Sequence, residues 1–145
     1  MIVSLYAGIA GLMLIFLSIN VIKGRRIGKV ALGDGGQFDM VRRMRAHGNF
    51  VEYTPMFLIL LALAESNKLP DYAIHFFGVL FLAGRFMHGL SVLKIEQYEG
   101  EKLMTNPKWR IRGMICTFAS LGLLATIVVM QFMISALIHI SIIAD

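Results

Sequence analysis

Long apolar runs alternate with short polar intervals along this chain. The first run extends from Ile2 to Ile22 and has no charged residue. A second apolar stretch, Met56 to Ala64, follows a polar one, and a third runs from about Asp71 to Leu93. A fourth starts near Arg110 and stays apolar for longer than one bilayer requires. About 20 apolar residues in a row cross a hydrocarbon core as a helix. Unpaired backbone amides are not tolerated there, which leaves a helix bundle or a closed barrel. The runs lack the period of two that a barrel strand shows. The pattern predicts an all-α integral membrane four-helix bundle, up-down-up-down, forming a single domain over residues 1–145, with spans at about 2–22, 43–64, 71–93 and 111–136.

The second helix is predicted from near Asp39 to about Glu65. Its length, about 40 Å, makes its polar end project from the membrane. Pro55 removes one backbone bond inside it and predicts a kink near Val51. Gly33-Asp34-Gly35-Gly36 lacks the Lys-Ser/Thr ending of a phosphate loop and reads as a flexible turn. Ser66 to Pro70 is short enough to make the second and third spans antiparallel neighbours. Trp109 is placed to anchor the chain at an interface. The stretch from Gln131 to Asp145 is expected to emerge from the membrane or lie along it.

Composition strengthens this reading. Hydrophobic residues make up 57% of the chain and charged residues only 16%, against about 25% charged in a soluble domain. The net charge of +5 is distributed unevenly. Seven Lys and Arg fall between spans one and two with the helix start, five between spans three and four, and only Lys68 between spans two and three. Basic loops stay in the cytoplasm, so both termini are expected outside it. No nucleic-acid-binding module is visible, and nucleic acid is not an expected partner. Cys116 is the only cysteine and makes no intrachain disulfide. No set of ligands at metal spacing is seen, and no metal is expected.

Polar residues inside a membrane helix are expensive and usually functional. At about 100° per residue, Arg42, Arg45, Asn49 and Glu52 fall within an arc of about 80° on one face of the second helix, with Arg43 and His47 opposite. That face is either a hydrogen-bond ladder joining helices or a cytoplasm-facing pocket, whose arginine forks suit a carboxylate and whose glutamate suits an amine. Arg85 and His88 share a face of the third span. A buried arginine needs a partner, and Glu52 is the expected one. His75 is expected near the outer interface. Arg110 and Arg112, at the mouth of the fourth span, either obey topology or stabilise an anion at the membrane boundary.

The segment Arg45-Ala46-His47-Gly48-Asn49-Phe50-Val51-Glu52-Tyr53-Thr54-Pro55 resembles the signature of the MAPEG family, the membrane-associated proteins in eicosanoid and glutathione metabolism. Gly33-Asp34-Gly35-Gly36 and Gly84-Arg85-Phe86-Met87-His88 are similar to segments of its bacterial members. Arg110-Ile111-Arg112-Gly113-Met114, with Thr117, resembles the start of their fourth span. The resemblance implies a homotrimer with glutathione as co-substrate, bound between subunits near the cytoplasmic side. It implies that Arg45, Asn49 and Glu52 hold the glutathione backbone and that His88 flanks the site; Arg85, on the same face as His88, is counted with them among the glutathione-binding residues. Arg112, or Arg110 if the register slips by two, would face the sulfur as the catalytic cation.

The implied function is that of a glutathione-dependent membrane enzyme. As a transferase or peroxidase it would conjugate or reduce a lipophilic electrophile. The alternative is a non-catalytic scaffold that binds glutathione or lipid. Four positions bear on the choice. Val92 stands where some members have tyrosine, and Gly113 and Cys116 stand where some have serine or tyrosine. Gly48 replaces an arginine found in some members, so the polar cage is thinner. Localisation is expected in a bacterial inner membrane.

Overall fold

The computed structural model describes residues 1–144; the end of the predicted tail, Asp145, lies outside the described residues. Four long helices account for most of the chain: α1 (Val3–Gly28), α2 (Phe38–Ser66), α3 (Asp71–Leu90) and α4 (Lys108–Ala144). A π-helical turn, Ser91–Ile95, extends α3. A two-stranded antiparallel hairpin then pairs β1 (Tyr98–Glu99) with β2 (Lys102–Leu103), Tyr98 opposite Leu103. The all-α membrane bundle is as expected. Three helical segments, Val3–Gly28, Asp71–Ile95 and Lys108–Ile143, are apolar and long enough to cross a bilayer. α2 differs because its N-terminal half carries the basic residues.

The α1–α2 connection is a turn. Gly33, Gly35 and Gly36 all have positive φ, and the Asp34 carboxylate accepts from the Gly36 amide at 2.9 Å. Only glycine enters that conformation without strain. α2 continues as one helix through Pro55, and the Thr54 hydroxyl donates to the Phe50 carbonyl at 2.6 Å in the turn that the proline interrupts. Arg43 and His47 face α1: Arg43 reaches the Asn20 carbonyl at 3.2 Å, and His47 lies 3.2 Å from the Ser18 hydroxyl.

The apolar core is concentrated in the half of the bundle away from the basic loops. Tyr6, Phe57, Leu61, Ile74, Phe77, Phe81 and Leu124 pack there, with the Phe57 and Phe81 rings stacked at 3.9 Å. Large apolar side chains such as Leu12, Phe16, Phe76 and Val79 point outward, as lipid-facing residues must. At this end Tyr6 hydrogen-bonds His75 at 2.8 Å. Gln131 reaches the Asn67 carbonyl in the α2–α3 turn at 3.3 Å. α4 continues beyond that contact as helix, and its length of about 55 Å exceeds a hydrocarbon core of about 30 Å.

α1 begins without a capping side chain of its own, since Ile2 occupies the cap position. Glu65, just past the second span, supplies the missing acceptor. Its carboxylate takes the amides of Ile2 and Val3, two of the donors a helix start leaves unpaired. The Val3 bond holds the Glu65 carboxyl below the usual glutamate value, against a smaller opposing effect of desolvation. A depressed folded-state pKa gives stability that is present above the unfolded value and lost as pH falls through the folded one. Protection of the Val3 amide, corrected for intrinsic exchange, should therefore hold at neutral pH and fall below about pH 4.3. Glu65→Gln should remove the pH dependence and lower the protection at pH 7, both read by NMR hydrogen exchange.

Candidate functional site

Arg85, one turn before the end of α3, is 3% exposed. Its guanidinium is held from two neighbouring helices. One terminal nitrogen donates to the Asn49 side-chain oxygen and, at 3.3 Å, to the Asn49 carbonyl. The other donates to the Thr117 hydroxyl and lies 3.4 Å from the Met114 sulfur. Thr117 in turn donates to the Gly113 carbonyl at 2.8 Å. The cation also lies 5.3 Å from the Tyr53 ring and 5.8 Å from that of Phe81, within cation–π range. Its Nε has no partner. Arg85 forms no ion pair among the described residues.

The expected Glu52–Arg85 pair is therefore corrected. Glu52 points outward and lies 3.9 Å from Arg45, both side chains more than half exposed. The four-residue face of α2 is real as a face, but it straddles a boundary. Asn49 is buried against α3, whereas Glu52, about 60° further round the helix, clears it.

A cavity of about 470 Å³ opens beside Arg85. Its polar lining is Arg45, Asn49, Tyr53, His88 and Arg110, and α4 contributes an apolar wall that includes Ile111, Met114 and Phe118. Three elements thus place the site residues: α2 presents Arg45, Asn49 and Tyr53, α3 presents His88, and the first turns of α4 present Arg110. Of the two expected sulfur-facing arginines, Arg110 lines the cavity. Arg112 does not; it is exposed and lies 5.9 Å from the Trp109 ring. The separation is the half-turn that i, i+2 spacing imposes. Glu52 likewise does not line the cavity within one protomer.

The α3–α4 crossing that builds this site is unusually close. A Cβ on Gly113 would meet the Gly84 carbonyl oxygen at 2.6 Å and the His88 amide nitrogen at 2.8 Å. A Cβ on Gly84 would meet the Gly113 carbonyl at 2.8 Å. Both obstacles are backbone, which cannot rotate aside. The absent hydroxyl at position 113 thus has a physical cause, because the crossing leaves no room for a side chain. Close approach of small residues is also how membrane helices gain contact without a hydrophobic driving force.

Sequence reasoning missed Glu96. Its carboxylate is fully buried beyond the π-helical turn and 3.3 Å from Arg110. A lone glutamate in a charged loop carries no sequence signal of burial. The Tyr98 hydroxyl donates to it.

A polytopic helical membrane protein with an arginine-rimmed cavity at the basic end of its bundle is the class these features define. The chain belongs to the MAPEG family, whose profile matches residues 3–130. It is 35% identical over 126 residues to the inner membrane protein YecN of Escherichia coli, in each of two strains, covering 86% of this chain and 87% of the relative.

Gly113→Ser should test the crossing. Overpacking a tight contact costs about 1–3 kcal/mol. The variant should therefore lose thermal stability in detergent, while Gly122→Ser, where a Cβ meets nothing within 4 Å, should leave the melting temperature nearly unchanged.

Proposed function

We propose that the cavity binds glutathione and that the protein is a glutathione-dependent transferase or peroxidase acting on lipophilic electrophiles. The observation that carries this reading is the positive charge around the cavity. Arg45 and Arg110 line it, and Arg85 lies buried behind its wall with no carboxylate partner among the described residues. A lone buried cation costs several kcal/mol, and an anion in the adjacent space offsets that cost. Glutathione supplies two carboxylates and, once ionised, a thiolate. Asn49 and Tyr53 offer hydrogen bonds to its peptide groups, and the Ile111–Met114–Phe118 wall offers an apolar surface to the second substrate.

In this mechanism Arg110 faces the sulfur. A thiol of pKa about 8.5 needs about 2.7 kcal/mol of differential stabilisation to reach about 6.5. A guanidinium in a partly dry site is of the right order to supply it. The thiolate then attacks the electrophilic carbon and expels its leaving group, the thiol proton having gone to solvent.

The family resemblance further supports a homotrimer, in which Glu52 and Arg112 would meet a neighbouring subunit. The distribution of Lys and Arg supports both termini outside the cytoplasm, and the named relative supports the inner membrane. A second reading, a glutathione- or lipid-binding scaffold without turnover, is favoured by Val92 in the cavity wall and by the closed space at Gly113. Both positions lack a hydroxyl near the reacting sulfur.

Turnover of glutathione with a small aryl halide separates the two. Arg110→Ala should lower kcat/KM by about tenfold or more, about 1.4 kcal/mol of transition-state stabilisation. Arg112→Ala should change it less. Bound glutathione with no turnover above background would leave the scaffold reading, and absence of glutathione binding would remove the enzyme reading and the glutathione-binding form of the scaffold.

A further inference from the structure

The buried Glu96 carboxylate has no part in the chemistry above, yet it is tied to three elements. The π-helical turn closes with the Glu96 amide donating to the Ser91 carbonyl at 2.9 Å. In a regular α-helix, residues five apart diverge by about 140°. Here the wider turn lets the Ser91 hydroxyl donate to one Glu96 oxygen at 2.9 Å. Tyr98 of β1 donates to the other, and Arg110 of α4 lies 3.3 Å from it. From α2, Arg42 donates to the Glu96 carbonyl at 3.2 Å and to the Val92 carbonyl at 2.6 and 3.0 Å, with its cation 5.0 Å from the Tyr98 ring. Two hydroxyl donors and a clamped backbone hold the carboxylate in place.

Arg110 is in the opposite situation. Its side chain is 35% exposed and sits in the first turn of α4, where an arginine's long stem lets it extend to water. It also stands on a partition. A second cavity of about 330 Å³, lined on its far side by Phe38, Tyr98 and Leu103, shares Arg45, Val92 and Arg110 with the first. We propose that Glu96 is a positioning residue: its immobilised carboxylate holds the Arg110 guanidinium on the wall between the two cavities, facing an anion, instead of letting it turn out to solvent. Glu96 lines neither cavity, so it acts only through Arg110. The thiolate arm of the test rests on the glutathione reading; the other arm does not.

The test compares purified wild type with Glu96→Gln, Arg110→Ala and the double variant in detergent. Bound glutathione thiolate is followed by its ultraviolet absorbance against pH, and the reactivity of Arg110 toward phenylglyoxal by peptide mass. Glu96→Gln should raise the thiol midpoint by about half a pH unit or more and speed modification of Arg110 by about threefold or more. It should add nothing in the Arg110→Ala background, because a residue that acts through another is not additive with its loss. Tyr98→Phe, which removes one donor from Glu96, should move both readouts less in the same direction and serves if Glu96→Gln does not fold. Additive shifts, or unchanged Arg110 reactivity, would overturn the proposal. So would a lowered midpoint, which would make Glu96 a neutraliser of Arg110. If wild type shows no thiolate band, the glutathione reading falls, and the phenylglyoxal rates alone decide the role of Glu96.

Discussion

A guanidinium buried inside a membrane-spanning bundle is the constraint around which this structure is organised. Arg85 cannot reach water, and it has no acid beside it among the described residues. Its desolvation is offset by the Asn49 amide and carbonyl, the Thr117 hydroxyl and two aromatic faces. These come from α2, α3 and α4, so three helices must meet at one level. Charge-assisted bonds of this kind are stronger than neutral ones, but none of them removes the net charge. The positive potential persists into the neighbouring cavity, where it favours anions.

Meeting at that level requires the α3–α4 approach at Gly84 and Gly113. The contact that lets Thr117 reach Arg85 is the same contact that forbids a side chain at position 113. Packing and polar chemistry therefore compete for one site. This chain resolves the competition in favour of packing at position 113, and the polar groups of the site stand elsewhere on α2, α3 and α4. The far half of the bundle carries no such burden and packs as apolar core, with Phe57 on Phe81 and Glu65 closing the start of α1.

Much of this was legible in the sequence, for reasons that differ by residue. Apolar runs and the basic loops read directly, because the bilayer imposes length and charge rules on each segment separately. That Arg43 and His47 sit opposite Arg45 and Asn49 followed from helical periodicity, and they do face α1. The partner of Arg85 did not follow. A wheel fixes angles on one helix and says nothing of where the neighbour's surface ends, and a rotation of about 60° separates buried Asn49 from exposed Glu52. Arg110 and Arg112 posed the same problem, and the fold places only Arg110 on the cavity. Glu96 was hidden more deeply. Its burial depends on a π-helical turn and on a hairpin of four residues, neither of which leaves a periodic trace.

The three arginines of the site consequently differ in freedom. Arg85 is enclosed and fixed, Arg110 is partly exposed and paired with a buried carboxylate, and Arg45 is mostly exposed beside a half-exposed Glu52. The free energy available to an anion differs accordingly. An exposed cation in high dielectric contributes little and pays side-chain entropy when it closes on a ligand. A cation already held in place contributes its field without that reorganisation. Arg45 is thus suited to recognising a ligand on entry. In the proposed reaction, stabilisation of developing charge would come from Arg85 and Arg110, the two cations the fold has already restrained.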